Sequence, residues 1–144
     1  MKFEASVVID RPVEEVFAYM MDIKNWLQWH AGMLEAEQSS EGPAGVGTTY
    51  RGVSQSLGQR MEWTSELTVY EPNKKVMQRL HSGPILFDQS FAFEQVEGGT
   101  KVTLGGEGET GGFFKLAEPI LKRRMQKEME GNLSNLKGIL EAQE

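Results

Sequence analysis

No cysteine occurs among the 144 residues of the chain. Disulfides, a thiol nucleophile and a thiolate metal site are excluded by composition alone. Histidine is nearly as scarce, with only His30 and His81, and neither has a ligand-spaced acidic partner. No zinc or iron site is therefore expected. Long apolar runs are missing too: nothing approaches the roughly eighteen residues of a membrane-spanning helix. Met1 to Asp10 alternates, where a leader would place a basic segment before a long apolar one. A soluble, cytoplasmic protein is the expectation. Nor is there an excess of cations, since 15 Lys and Arg stand against 21 Asp and Glu for a net charge of -6. That balance opposes non-specific binding to nucleic acid, which depends on cationic side chains releasing counterions, so no nucleic-acid partner is expected.

Catalytic signatures are also lacking. The sequence has no G-x-S-x-G elbow, no H-E-x-x-H and no phosphate loop ending in Lys-Ser/Thr. Gly106-Glu107-Gly108-Glu109-Thr110-Gly111 satisfies G-x-G-x-x-G. A dinucleotide site, however, needs a second parallel strand ending in an acidic residue, and the two glutamates would repel a pyrophosphate. These glycines read instead as a flexible strand-to-helix connection, a gate for a ligand. No cofactor is expected.

What is present begins with the last thirty residues. Phe113, Leu116, Ala117, Ile120, Leu121, Met125, Met129, Leu133, Leu136, Ile139 and Leu140 recur at three- and four-residue steps, the spacing of one helix face. A helix over 115–142 would run roughly 40 Å. Upstream, Phe3 to Ile9 alternates as a half-buried strand. Pro12 opens a short helix to about Met21, with Asp10 placed to attract its free amides, and Asp22 to Trp29 forms a second helical piece. Strands follow at Met33–Ser39, Thr48–Ser54, Gln59–Tyr70, Lys75–His81, Ile85–Val96 and Thr100 to about Gly108, separated by turn residues. The cleanest alternation puts Met61, Trp63, Ser65, Leu67 and Val69 on one face. The fold class is α+β: a curved antiparallel sheet of about seven strands wrapped around a long C-terminal helix, with two short helices after the first strand.

This order, together with Ile9-Asp10-Arg11-Pro12-Val13-Glu14-Glu15-Val16-Phe17, Asp22 to Trp29, Gly45-Val46-Gly47-Thr48, Glu97-Gly98-Gly99-Thr100-Lys101-Val102 and the helix around Pro119 to Leu140, resembles the helix-grip fold of the START-like (SRPBCC) superfamily in its polyketide cyclase/dehydrase branch. The resemblance covers residues 1–144 as a single START-like ligand-binding domain. It implies a cavity between sheet and helix that takes a hydrophobic or amphipathic small molecule, of the lipid, polyketide, isoprenoid or quinone-like kind.

The residues make such a cavity plausible on their own terms. Three tryptophans, seven phenylalanines and eight methionines supply large or pliable apolar surface. On the inferred inner faces, Tyr50, Ser65, Gln78 and Gln89 sit among Met61, Trp63, Phe87 and Phe91, and a few polar groups in an apolar wall are what orients a ligand. The bland alternative is that they are satisfied locally or by buried water. Trp26, Trp29 and His30 cluster at the end of the second helix, where the fold would place the mouth. Their plain reading is packing for the tryptophans and an exposed loop position for His30. Phe113, Leu116 and Ile120 would close the site from the helix. Besides a carrier, a cyclase/dehydratase-type enzyme stays open, with His30, Tyr50 and Gln89 as first suspects for moving a proton. A protein-interaction module, and hence a protein partner, stays open as well. The basic cluster Lys122-Arg123-Arg124-Met125-Gln126-Lys127 reads as a solvated helix face diluted by Glu118, Glu128 and Glu130, so membrane contact is expected to be transient at most.

Overall fold

The structure is a computed structural model that describes residues 2–56, 58–82, 85–109 and 118–142. Seven strands form one antiparallel sheet among these residues: β1 (Lys2–Ile9), β2 (Met33–Gln38), β3 (Thr49–Ser56), β4 (Gln59–Glu71), β5 (Lys75–Ser82), β6 (Ile85–Val96) and β7 (Gly99–Glu109). Their order is β1-β7-β6-β5-β4-β3-β2. Strands β2 to β7 thus pair in sequence, and β1 closes against the last of them. Between β1 and β2 lie α1 (Val13–Met21), a 3₁₀ turn (Ile23–Asn25) and α2 (Trp26–Trp29); α3 (Glu118–Ala142) follows the sheet. This is the helix-grip arrangement that the alternation and the long apolar stripe predict.

Local chemistry sets the element ends. Pro12, with φ -62° and ψ 150°, occupies the N-cap of α1 without a side-chain cap, and Glu14 and Glu15 in the first turn complement the helix dipole. Asp10 does not cap this helix as expected; its backbone N–H donates instead to Glu141 Oε2 of α3 at 3.0 Å. The 3₁₀ turn is capped by Asp22, whose Oδ1 accepts from the Lys24 amide. The β6–β7 hairpin closes at Val96↔Gly99. Gly99 there has φ 134°, and a Cβ would collide with the Ile9 carbonyl, so any other residue would break the contact.

One end of the molecule is densely filled. Val16, Phe17 and Met20 of α1 meet Phe93, Val102 and Ile9 of the sheet, and Leu133, Leu136 and Leu140 of α3 are buried in the same cluster. Phe17 packs edge-on to Phe93 at 5.1 Å and to Tyr70 at 5.9 Å. The Tyr70 contact corrects the uninterrupted alternation expected for β4. A bulge between Leu67 and Val69 shifts the register by one residue, which turns Tyr70 toward the core side and leaves Val69 half-buried.

Polar side chains lash α3 to the outer edge of β1. Gln126 Nε2 donates to the Glu4 carbonyl at 2.7 Å and Lys137 Nζ to the Val8 carbonyl at 2.6 Å. These are carbonyls that an edge strand would otherwise offer to another chain. Arg11 Nε donates to the Leu140 carbonyl at 2.9 Å, placing a cation on the negative end of the helix dipole.

Candidate functional site

The opposite end is hollow. Between the inner face of the sheet and the N-terminal half of α3 lies a cavity of about 220 Å³. Of the residues expected at a ligand site, Trp26, His30, Trp63, Gln78, Phe87 and Gln89 line it. A separate void of about 30 Å³ lies between it and the filled end, shared by Trp26, His30 and Gln78 and walled also by Trp29, Phe91 and, from the filled end, Met20, Val76 and Phe93. That volume is about one water's share of the liquid.

The apolar wall is shaped by glycine. Phe3 faces Gly106 across β1 and β7, Phe87 faces Gly108 across β6 and β7, and Trp63 faces Gly52 across β3 and β4. A Cβ at any of these glycines would overlap the ring opposite it. Each ring therefore lies over its glycine instead of standing away from the sheet. Phe3 and Phe87 also meet edge-to-face at 5.8 Å. The last strand reaches Gly108 as expected and continues to Glu109, with Gly106 buried under the Phe3 ring, so the added reading of these two glycines as a flexible connection is corrected. Thr110 and Gly111, the rest of that motif, lie outside the described residues.

The polar content of the cavity centres on one pair. Gln78 and Gln89 stand directly opposite each other on β5 and β6, and Gln78 Nε2 donates to Gln89 Oε1 at 2.6 Å. Each amide still has hydrogen-bonding capacity unused by that bond. Ser54 and Ser82 add hydroxyls to the wall.

His30 ends α2, its backbone N–H donating to the Trp26 carbonyl at 3.0 Å. Its ring stacks on Trp29 at 3.8 Å and borders both voids. Burial lowers its pKa to about 4, so at neutral pH the imidazole is uncharged. The loop after it is clamped: the Ala31 N–H donates to Asn132 Oδ1 of α3 at 2.9 Å, and the Gln55 N–H donates to the Gly32 carbonyl at 2.7 Å. His30 is thus fixed to the site and is not the exposed loop residue of the plain reading.

The remaining expected residues fall elsewhere. Tyr50 lies behind the wall, its ring 4.8 Å from that of Trp26, the cavity residue whose indole N–H donates to the Met20 carbonyl at 2.8 Å. Tyr50 is buried and lines neither void. Burial, and then nearby Tyr70, raise its pKa, which keeps the phenol protonated. Ser65 is buried with its Oγ unpartnered, and Met61 is half-buried; neither lines a void. Ile120 is 71% exposed on the far side of α3. It precedes buried Met129 by nine positions, roughly two and a half turns at 3.6 residues per turn, which sets it on the opposite face. Phe113 and Leu116 lie outside the described residues.

Phe3, Leu80, Leu104, Met125, Met129 and Asn132 line the cavity without having been singled out as site residues. Strand parity marks Leu104 as inward beside Val102, and the helical stripe contains Met125 and Met129. Only a three-dimensional arrangement shows which inward residues border empty space and which border one another.

Comparison with known proteins adds to this geometry. The profile of the family described as polyketide cyclase / dehydrase and lipid transport matches residues 1–141. No curated protein matches the sequence. Among solved structures, the Zhui aromatase/cyclase from Streptomyces sp. R1128 superposes with a TM-score of 0.81 at 15% identity, over 98% of this chain and 93% of that one. TTHA0849 from Thermus thermophilus gives 0.80 at 20% identity over 97% of both chains. The di-domain ARO/CYC BexL from the BE-7585A biosynthetic pathway gives 0.78 at 18% identity, over 96% of this chain and 45% of that one. At these identities the likeness establishes the fold.

Proposed function

Because the chain belongs to the polyketide cyclase/dehydrase and lipid transport family, we propose that it binds a hydrophobic or amphipathic small molecule, such as a lipid, polyketide, isoprenoid or quinone-like compound, in the cavity between the sheet and α3. One observation carries the reading: a cavity of about 220 Å³ with an aromatic and methionine wall and a single bonded amide pair. Apolar surface supplies the affinity, and a few fixed polar groups set the orientation. Empty space of this size in a protein interior is otherwise destabilising, because the lining atoms lose their packing partners.

The test uses N-phenyl-1-naphthylamine, a neutral dye that fluoresces in apolar surroundings. Uptake saturating at one dye per chain is expected, weakened at least about tenfold in Leu80→Trp, which puts an indole into the cavity wall. Native mass spectrometry of freshly purified protein should also show a bound apolar mass. Absence of both dye uptake and a bound mass would sink the reading.

A second reading, a cyclase/dehydratase-type enzyme acting on such a ligand, is favoured by the uncharged His30 imidazole at the cavity wall. An imidazole held against a bound substrate is placed to exchange a proton with it, although the burial that keeps this ring neutral also makes it a weak base. His30→Asn should then abolish turnover of a cyclisable poly-keto substrate while dye binding persists; equal turnover in the variant removes His30 from the chemistry.

A further inference from the structure

The cavity has a charge pattern as well as a shape. Among the described residues that line it there is no lysine or arginine. The one acidic side chain on its wall, Glu128, sits at the rim, half-exposed, with Arg124 Nε 3.9 Å from its carboxylate. Inside, the polar groups are neutral: the Gln78–Gln89 pair, the hydroxyls of Ser54 and Ser82, and the amides of Gln55 and Asn132, the last with its Oδ1 already engaged by the Ala31 N–H. The imidazole of His30 also carries no charge at neutral pH.

A buried carboxylate or phosphate without a cation loses its hydration and receives only neutral hydrogen bonds in return. An uncharged oxygen loses far less. An amide pair is well suited to such an oxygen, because after the one bond between the two glutamines the dyad still has three N–H groups to donate and carbonyl lone pairs to accept. A keto group can accept from it, and a hydroxyl can do both.

Resting on the carrier reading above, we infer that the cavity selects uncharged ligands bearing a keto or hydroxyl oxygen and rejects those whose buried end is a carboxylate or phosphate. The Gln78–Gln89 pair is the element that reads that oxygen. Free fatty acids and phosphorylated isoprenoids are thereby excluded as ligands inserted head-first, whereas quinone-like and polyketide-like molecules fit.

Two nearly isosteric probes test this: 2-acetonaphthone, a neutral ketone, and 2-naphthoate, its carboxylate counterpart. Both are titrated at pH 7 by displacement of N-phenyl-1-naphthylamine. The ketone should bind at least about tenfold more tightly. In Gln89→Lys, which places a cation beside the amide, that ratio should fall by at least about tenfold. If Gln89→Lys does not fold, Ser54→Lys on β3 supplies the cation from another wall, with the same expected fall. Naphthoate binding the wild type as tightly as the ketone overturns the inference while leaving the carrier reading intact. A ratio unchanged in a folded lysine variant also overturns it. Failure of the dye itself to bind would instead defeat the carrier reading from which the inference starts.

Discussion

The two ends of this molecule solve opposite problems with the same sheet and helix. At the α1 end, Ile9, Val16, Val102 and Leu136 are wholly inaccessible, and the polar groups that enter are paired, as Thr100 Oγ1 is to the Arg11 carbonyl at 2.8 Å. At the cavity end the same strands carry Phe3, Trp63 and Phe87 around open space. Among the described residues, Trp29 Nε1 and Trp63 Nε1 on the walls of the two voids, together with Ser65 Oγ and Arg124 Nε nearby, are buried without a hydrogen-bond partner. Each such orphan costs about 1–3 kcal/mol. Stability is thus concentrated at one end, and the other is left under-packed where a binding site is proposed.

Truncation should expose the contrast most sharply. Leu136→Ala at the filled end is expected to lose roughly 2–5 kcal/mol, because its buried surroundings can relax little. Met125→Ala, half-buried at the cavity wall, should lose less than about 1 kcal/mol, since the space it vacates joins space that already exists. Urea unfolding of both variants checks this, and similar losses would mean that the hollow end is as tightly coupled as the filled one.

Acid should act on the hollow end through His30. The folded-state pKa of about 4 lies below the ordinary 6.5, so between these values the unfolded chain holds a proton that the folded chain refuses. The stability contributed by the neutral ring is present above about pH 6.5 and is lost as pH falls toward 4. At roughly 1.4 kcal/mol per pH unit, and discounted for the ring's partial exposure, the loss should be about 2–3 kcal/mol. Urea midpoints measured from pH 7 to pH 4 should fall less steeply in His30→Asn than in the wild type. Parallel curves would show that the ring titrates as it does in water.

The smallest expected effect tests the latch at the filled end. Arg11→Ala removes the bond to the Leu140 carbonyl and the charge at the helix terminus, and should cost about 1 kcal/mol. Dye binding at the far end should not change; a change would mean that the position of α3 is transmitted along its length to the cavity.

The sequence carries the sheet and its facing more fully than it carries the site. Period-two alternation placed Trp63, Ser65 and Phe87 inward because a one-residue slip would have exposed every apolar neighbour, whereas over Lys75–His81 the pattern left the parity of Gln78 open. It could not register the bulge before Val69, which changes no composition yet turns Tyr70 into the core. Ile120 illustrates the limit for α3: an apolar residue at helical spacing joins the stripe on paper, but nine further positions carry it to the opposite face. Gly106 and Gly108 read in sequence both as the end of the last strand and as a flexible connection out of it, because glycine usually weakens a strand. The rings that compensate for them come from Phe3, far away in sequence, and Phe87, on the next strand.

Those glycine and ring pairs make the size of the chamber an inherited quantity set by residues that have no side chain. A single methyl group at Gly106 would meet only the Phe3 ring and push it off the sheet, shrinking the chamber without touching the glutamine pair, whereas at Gly52 or Gly108 it would first strike a backbone carbonyl of the neighbouring strand, Glu35 or Leu86. Capacity and chemical taste are therefore separable traits in this scaffold. A lineage could resize the chamber through its glycines while its glutamine pair went on asking for the same functional group.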